Sequence, residues 1–322
     1  MKFITFYIKI VLDAYRDTKR VIKHFNLISL NGIKIIPQLF LIRLIYSLTF
    51  FRNLIGIKIY NNSSFDNYLV EKQIYPKEIT EQVDKNGCSE TFTLKKEFKD
   101  KLINEIFSNK DVEYKKINNN EIDKKILIKN DNEDLSSYFN RLEVNEISRV
   151  TSFIDLKNNC TIKSLLLSKP VISLAKNYLN TDTFSISAAF FVSTPGEISR
   201  EEKYANAQYF HWDNDFSKFF KLYIYLTDVD DNSGPHIFIP KTHKNKLFST
   251  SLARLYDDDL IYNSYKNKIK FKGKSGSIFF ADGYGLHKGE TPTKNPRLII
   301  NAHFGRGKIF YSDKDILYNT SN

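Results

Sequence analysis

Four of the six histidines fall between residues 211 and 287, at His211, His236, His243 and His287. The first belongs to His211-Trp212-Asp213 within the stretch AQYFHWD. In extended chain, residues i and i+2 point to the same side, so His211 and Asp213 can grip one metal ion together. A second imidazole from a distant strand would complete a two-histidine, one-carboxylate facial set. That set holds non-haem Fe(II) and leaves adjacent coordination positions open, as oxygenases require for a co-substrate and dioxygen. His287 follows GSIFFADGYG, a strand ending in a glycine-rich turn, and is the expected third ligand. His243 is its rival. Ten residues beyond His287, Arg297 opens the strand RLIINAHF. Its guanidinium can bind a carboxylate through two parallel hydrogen bonds. The competing readings are a structural His–Asp pair, a turn histidine and a surface ion pair.

These residues need a scaffold of short strands. From Thr183 onward FSISAAFFV, KLYIYLTDV, HIFIP, GSIFFAD and RLIINAHF are β-branched and aromatic, and turn residues separate them. Such spacing predicts a sandwich, barrel or jelly roll. Alternation puts Trp212 opposite the metal, in packing, and puts Asn301 and His303 on the Arg297 face, either lining the co-substrate pocket or as core polar groups. Asn214 and Asp215 face substrate or form a solvated turn. The acidic run Asp257-Asp258-Asp259 is given no role. Ahead of the strands, Leu94, Phe98, Leu102 and Ile106 recur every four residues and predict an amphipathic helix. Pro170 starts a second helix, with Val171, Leu174, Ala175 and Tyr178 as its apolar stripe. Residues 62–92 and most of 115–134 read as irregular. Loops 194–206 and 250–268 are expected to carry specificity.

The 322 residues are 42% hydrophobic and 14% aromatic, enough for a substantial core. This excludes a disordered chain, a collagen-like fibre and a disulfide scaffold. Cys88 and Cys160 are far apart, and neither sits in a C-x-x-C; they fit a reducing, cytoplasmic compartment rather than a thiolate zinc site. The net charge is +11, and residues 1–60 hold ten basic and two acidic side chains, or +8. The stretch Ile35–Leu54 is strongly apolar but holds Arg43 and Arg52. It is interrupted too often to span a bilayer and carries no signal-peptide cleavage pattern. Two readings stay open for residues 1–60: helices packed on the main domain, which is favoured, or an in-plane anchor on an anionic membrane surface. Nucleic acid is disfavoured as a partner, since no groove-reading or basic-aromatic stacking pattern occurs. Phosphate-cradling glycine loops of nucleotide folds are also missing.

The segment from His211 to Arg297 resembles the phytanoyl-CoA dioxygenase family of Fe(II)/2-oxoglutarate oxygenases. Three pieces match in order: HWD; NSGPHIFIPKTHK; and FADGYGLHKGETPTKNPR. A weaker likeness reaches back to VDKNGCSETFTLKKEFKDKLINEIF. The resemblance implies a mainly β fold with flanking helices, built on a double-stranded β-helix (jelly-roll, cupin-like) core over residues 76–322, with residues 1–75 as a helical extension. It implies iron ligation by His211, Asp213 and His287. Arg297 would bind the distal carboxylate of 2-oxoglutarate, with Tyr223 and Thr291 as further co-substrate contacts. The implied reaction consumes dioxygen and 2-oxoglutarate, releases succinate and carbon dioxide, and hydroxylates an unactivated C–H bond of a small or lipid-like metabolite. An acid at position 213 argues against halogenation, which needs a small residue there. The alternative is a catalytically silent metal-binding jelly-roll module docked to a membrane or partner through residues 1–60. Two departures stand out: the family's P-G-S-H turn is Pro240-Lys241-Thr242-His243, and His236 replaces a residue that is usually apolar.

Overall fold

The computed structural model describes residues 56–57, 70–71, 73–107, 113–116, 124–213, 218–250, 255–306 and 314–319. Both readings of residues 1–60 concern a segment that, Gly56 and Ile57 apart, lies outside the described residues. In chain order the strands are β1 (Phe92–Thr93), β2 (Glu113–Lys116), β3 (Ile147–Phe153), β4 (Thr183–Ser193), β5 (Phe210–His211), β6 (Phe219–Tyr225) and β7 (His236–Phe238). They continue as β8 (Leu255–Tyr256), β9 (Ile269–Phe271), β10 (Ser277–Ala281), β11 (His287–Gly289), β12 (Arg297–Arg306) and β13 (Ile316–Asn319). The helices are α1 (Pro76–Asn86), α2 (Lys96–Ile106), α3 (Leu135–Val144), α4 (Cys160–Leu166), α5 (Lys169–Leu179), α6 (Arg200–Ala205) and α7 (Asp258–Ser264).

Two antiparallel sheets form. The larger runs β1-β10-β6-β12-β4-β3-β2, with β13 also beside β4; the smaller runs β8-β5-β11-β7-β9. From β4 to β7 each successive strand changes sheet, and so do β9 through β12. That crossing back and forth is the jelly-roll winding, and it confirms the mainly β class. Period-2 patterning decides which side chains enter the space between the sheets. Phe184, Ile186, Phe190 and Val192 of β4, with Leu298, Ile300, Ala302 and Phe304 of β12, point away from it into one large core. The helices cover that face. α2 contributes Phe98, Leu102 and Ile106, and α5 contributes Val171, Leu174, Ala175 and Tyr178, as their periodicity predicts. Pro170 lies in the first turn of α5, and Asn180 ends it in the left-handed region. A smaller core of Tyr223, Tyr225, Phe279 and Ile299 against Phe238 and Phe271 joins the two sheets.

One local reading changes, and one strand has no expectation attached to it. Residues 62–92 hold the regular helix α1, stopped by Gly87 at φ 85°. Only Ile79 and Val83 mark its buried face among hydrophobic side chains other than proline, too few for a periodic signal. Ile147–Phe153 forms β3, paired with β4. Its serines and threonine hid a strand that is nonetheless alternately buried. No helix among the described residues is long and apolar enough to cross a membrane.

Candidate metal centre

His211 ends β5 and His287 begins β11, and the two are direct cross-strand partners. Opposed residues of an antiparallel pair bring their side chains close, and the two ring centroids are 4.2 Å apart. The Nδ1 atoms of His211 and His287 lie 2.9 Å from the carbonyls of Tyr209 and Gly285, respectively. A carbonyl only accepts, so each Nδ1 carries a proton. Those Nε2 atoms lie 3.9 Å and 3.4 Å from the two carboxylate oxygens of Asp213. One ligand atom from each of the three residues falls within 4.8 Å of the others, and all three residues are buried. Local backbone acceptors thus engage both Nδ1 atoms and leave each Nε2 as the ring nitrogen facing Asp213.

The turn between β10 and β11 fixes the carboxylate. Asp213 N–H donates to the Gly283 carbonyl at 2.8 Å. A Cβ at Gly283 would stand 2.9 Å from Asp213 Oδ2 and 2.7 Å from the Phe219 ring, so only glycine lets this turn approach. Asp282 pins the same turn: it accepts from the Tyr178 hydroxyl at 2.6 Å and the Tyr284 N–H at 2.9 Å. The second oxygen of Asp213 takes a 2.5 Å contact from the Lys221 ammonium. Burial alone would raise the Asp213 carboxyl. Lys221 and then the two imidazoles outweigh it and hold the group well below the usual carboxylate range. It is therefore a carboxylate, as ligation demands. The donor set, its protonation and its spacing fit a divalent ion.

Arg297 lies on the inward face of β12, only 7% exposed. Its guanidinium rests against Gly289, where a Cβ would meet Nη2 at 3.1 Å. Its Nε has no hydrogen-bond partner, and among the described residues no carboxylate forms an ion pair with it. Burial pulls its basicity down, while nearby Tyr225 and Glu290 oppose this. A buried guanidinium in such surroundings expects an anionic partner.

The remaining expected residues divide. Tyr223 is buried on the inward face of β6 and stacks on Phe279 at 4.9 Å. Asn301 is its cross-strand partner on β12, and His303 packs on Phe219 at 4.9 Å. Thr291 gives its hydroxyl to Gln208 Oε1 at 2.8 Å. The rival His243 stands apart from the trio, with Nε2 at 2.9 Å from the Asp84 carbonyl and burial lowering its ring to about 4. Trp212 packs away from the ligands, edge-on to Tyr284 at 5.1 Å. Asn214 and Asp215 lie outside the described residues.

The acidic run has work after all. Asp257 pairs with Arg200 at 3.2 Å, and Asp258 pairs at 2.6 Å with Lys288, the buried neighbour of His287. The two loops expected to carry specificity meet in an open cavity of about 640 Å³ lined by Ile198, Arg200, Lys203, Asp257, Asp259 and Leu260. Tyr209 also lines it, two residues before His211. Sequence reading missed Lys221, although alternation from Tyr223 already placed it inward. A lysine at such a strand position was the available signal.

No family model matches the chain, and no curated protein sequence matches it. Among solved structures, it overlaps the non-heme alpha ketoglutarate dependent carbocyclase SnoK from nogalamycin biosynthesis at 12% identity, covering 76% of this chain and 96% of that one, with a TM-score of 0.49. EctD from S. alaskensis with bound Fe overlaps at 13% identity, 78% and 87% coverage and a TM-score of 0.47. HygX from Streptomyces hygroscopicus, with nickel, 2-oxoglutarate and hygromycin B bound, overlaps at 11% identity, 73% and 89% coverage and a TM-score of 0.47.

Proposed function

We propose that residues 76–322 form an Fe(II)- and 2-oxoglutarate-dependent dioxygenase that hydroxylates a small or lipid-like metabolite. The observation that carries this reading is a pairing of features in one jelly roll. Two imidazole Nε2 atoms converge on a buried carboxylate, and a buried guanidinium lacks a carboxylate partner among the described residues. The first feature suits a facial metal set and the second suits the far carboxylate of a keto-diacid.

His211, Asp213 and His287 would hold Fe(II). The bound ion would activate dioxygen at the expense of 2-oxoglutarate, giving succinate, carbon dioxide and an oxidant for C–H bonds. The chain supplies the rest. Arg297 fixes one end of the keto-diacid and so orients the other toward the ligands. Tyr223 walls that pocket with an aromatic face. Burial of all three ligands keeps bulk water from the site. Asp213 must exchange its Lys221 partner, wholly or in part, for the ion. Substrate would enter by the cavity beside Tyr209.

The Lys221–Asp213 contact favours one second reading, a catalytically silent jelly-roll module whose carboxylate stays paired with lysine and which docks through residues 1–60. The test is anaerobic Fe(II) titration, then succinate release measured against 2-oxoglutarate consumption, with a metabolite screen for the substrate. Stoichiometric Fe(II) binding and coupled succinate formation are expected. Failure to bind Fe(II), or iron binding with no succinate, would favour the silent module. Vesicle co-sedimentation with and without residues 1–60 tests the membrane role: loss on deletion supports an anchor, whereas insoluble protein supports packing helices.

A further inference from the structure

His236 sits on β7 directly across from Gly289 of β11, the glycine against which the Arg297 guanidinium lies. Its ring packs at a tilt on Tyr223, with centroids 4.6 Å apart, and stands 5.3 Å from the ring of His287. It is only 5% exposed, and its Nε2 has no hydrogen-bond partner. Arg297 Nε, whose guanidinium lies against the same Gly289, is equally unsatisfied. A buried polar atom left unpaired destabilises the fold. Packing does not ask for that cost: Tyr223, Phe271 and Phe279 surround the ring, and an apolar side chain would suit them as well. Two groups able to donate hydrogen bonds, one charged, therefore lie beside Gly289 and near the ligand-set histidine His287, each with a buried nitrogen that has no partner.

We infer that His236 is a second co-substrate contact, its imidazole N–H donating to an oxygen of the same keto-diacid that Arg297 binds. The inference rests on the 2-oxoglutarate reading above and adds one donor to it. The arrangement explains why a polar ring occupies a site whose walls are aromatic.

The test is calorimetric titration of 2-oxoglutarate into full-length protein loaded with Mn(II) under anaerobic conditions, so that no turnover is involved. His236→Phe keeps a stacking ring and removes the nitrogen. It is expected to weaken 2-oxoglutarate binding about tenfold while leaving Mn(II) affinity unchanged. His236→Gln returns an N–H donor and should recover affinity to within about threefold of wild type. Thermal melts establish that each variant is folded, and His236→Leu replaces the phenylalanine variant if that one is not. Wild-type affinity in an apolar variant, or a glutamine variant as weak as the apolar one, would overturn the assignment. If metal-loaded wild-type protein fails to bind 2-oxoglutarate, the functional reading itself falls; wild-type binding with an unaffected apolar variant removes His236 alone.

Discussion

The two faces of the eight-stranded sheet are made by the same strands and do opposite work. On β12, Leu298, Ile300, Ala302 and Phe304 point outward into the helix-covered core, fully buried. Their immediate neighbours Arg297, Asn301 and His303 point inward. On β6, Phe220, Leu222 and Ile224 join the same core, whereas Lys221 reaches Asp213 from the other side. On β4, Phe184, Ile186, Phe190 and Val192 oppose Ser185, Ser187 and Ser193. A one-residue step changes hydrocarbon to charge. The lesson is that stability and chemistry can be separated across a single backbone layer. Packing against helices holds the strands rigid, and the inner face is then free to carry unsatisfied polar groups that a stable core would not tolerate.

That division can be broken from either side. On the outer face, Phe304→Ala should lower the unfolding free energy by about 3–5 kcal/mol in urea titrations, through lost burial and a residual cavity. Its metal affinity should stay unchanged wherever the variant remains folded. A stability loss under about 1 kcal/mol would mean that this face is not the one holding the sheet. On the inner face, Asp213→Ala should reduce metal affinity by more than the roughly 10–100-fold typical of supporting residues and should abolish the succinate formation expected of the proposed function. Near-native affinity would remove Asp213 from the ligand set. Arg297→Ala should weaken 2-oxoglutarate by about 10–100-fold, with metal binding intact, because a hydrogen bond to a charge is lost. An unchanged KM for 2-oxoglutarate would remove the clamp. The smallest effect belongs to a position on neither face. Lys241, in the Pro240–His243 turn, adopts φ 68°. Lys241→Gly should gain up to about 1 kcal/mol by relieving left-handed strain, seen as a higher Tm with unchanged kinetics. A lower Tm would show that the side chain supports the turn.

Much of this division was legible beforehand, for identifiable reasons. Period-2 alternation in RLIINAHF and FSISAAFFV assigns each residue to a face before any partner strand is known. The H-x-D spacing places His211 and Asp213 on one side by the same rule. Less was legible where the signal depends on contact. α1 shows little hydrophobic periodicity because only Ile79 and Val83 mark its packed face. β3 looks polar because its burial comes from the neighbouring β4. The ion pairs of Asp257 and Asp258 join residues 57 and 30 positions apart, and no local pattern announces them.

Residue identity and spacing alone thus determined the strand class, the facing of each side chain and a short list of groups able to hold a metal. They left His243 and His287 in competition, because both follow a strand and a turn. Tertiary structure shows which of them meets the His211–Asp213 pair. Cross-strand register put His287 opposite His211, and the Gly283 turn brought Asp213 to the same point, while His243 was drawn to the Asp84 carbonyl instead. It also supplied what no motif contains: the Tyr209 and Gly285 carbonyls that engage the two Nδ1 atoms, and the Lys221 ammonium that holds the carboxylate charged. The physical reason is that facing is a local, two-residue property of extended chain, whereas convergence depends on which strands pair and in what register.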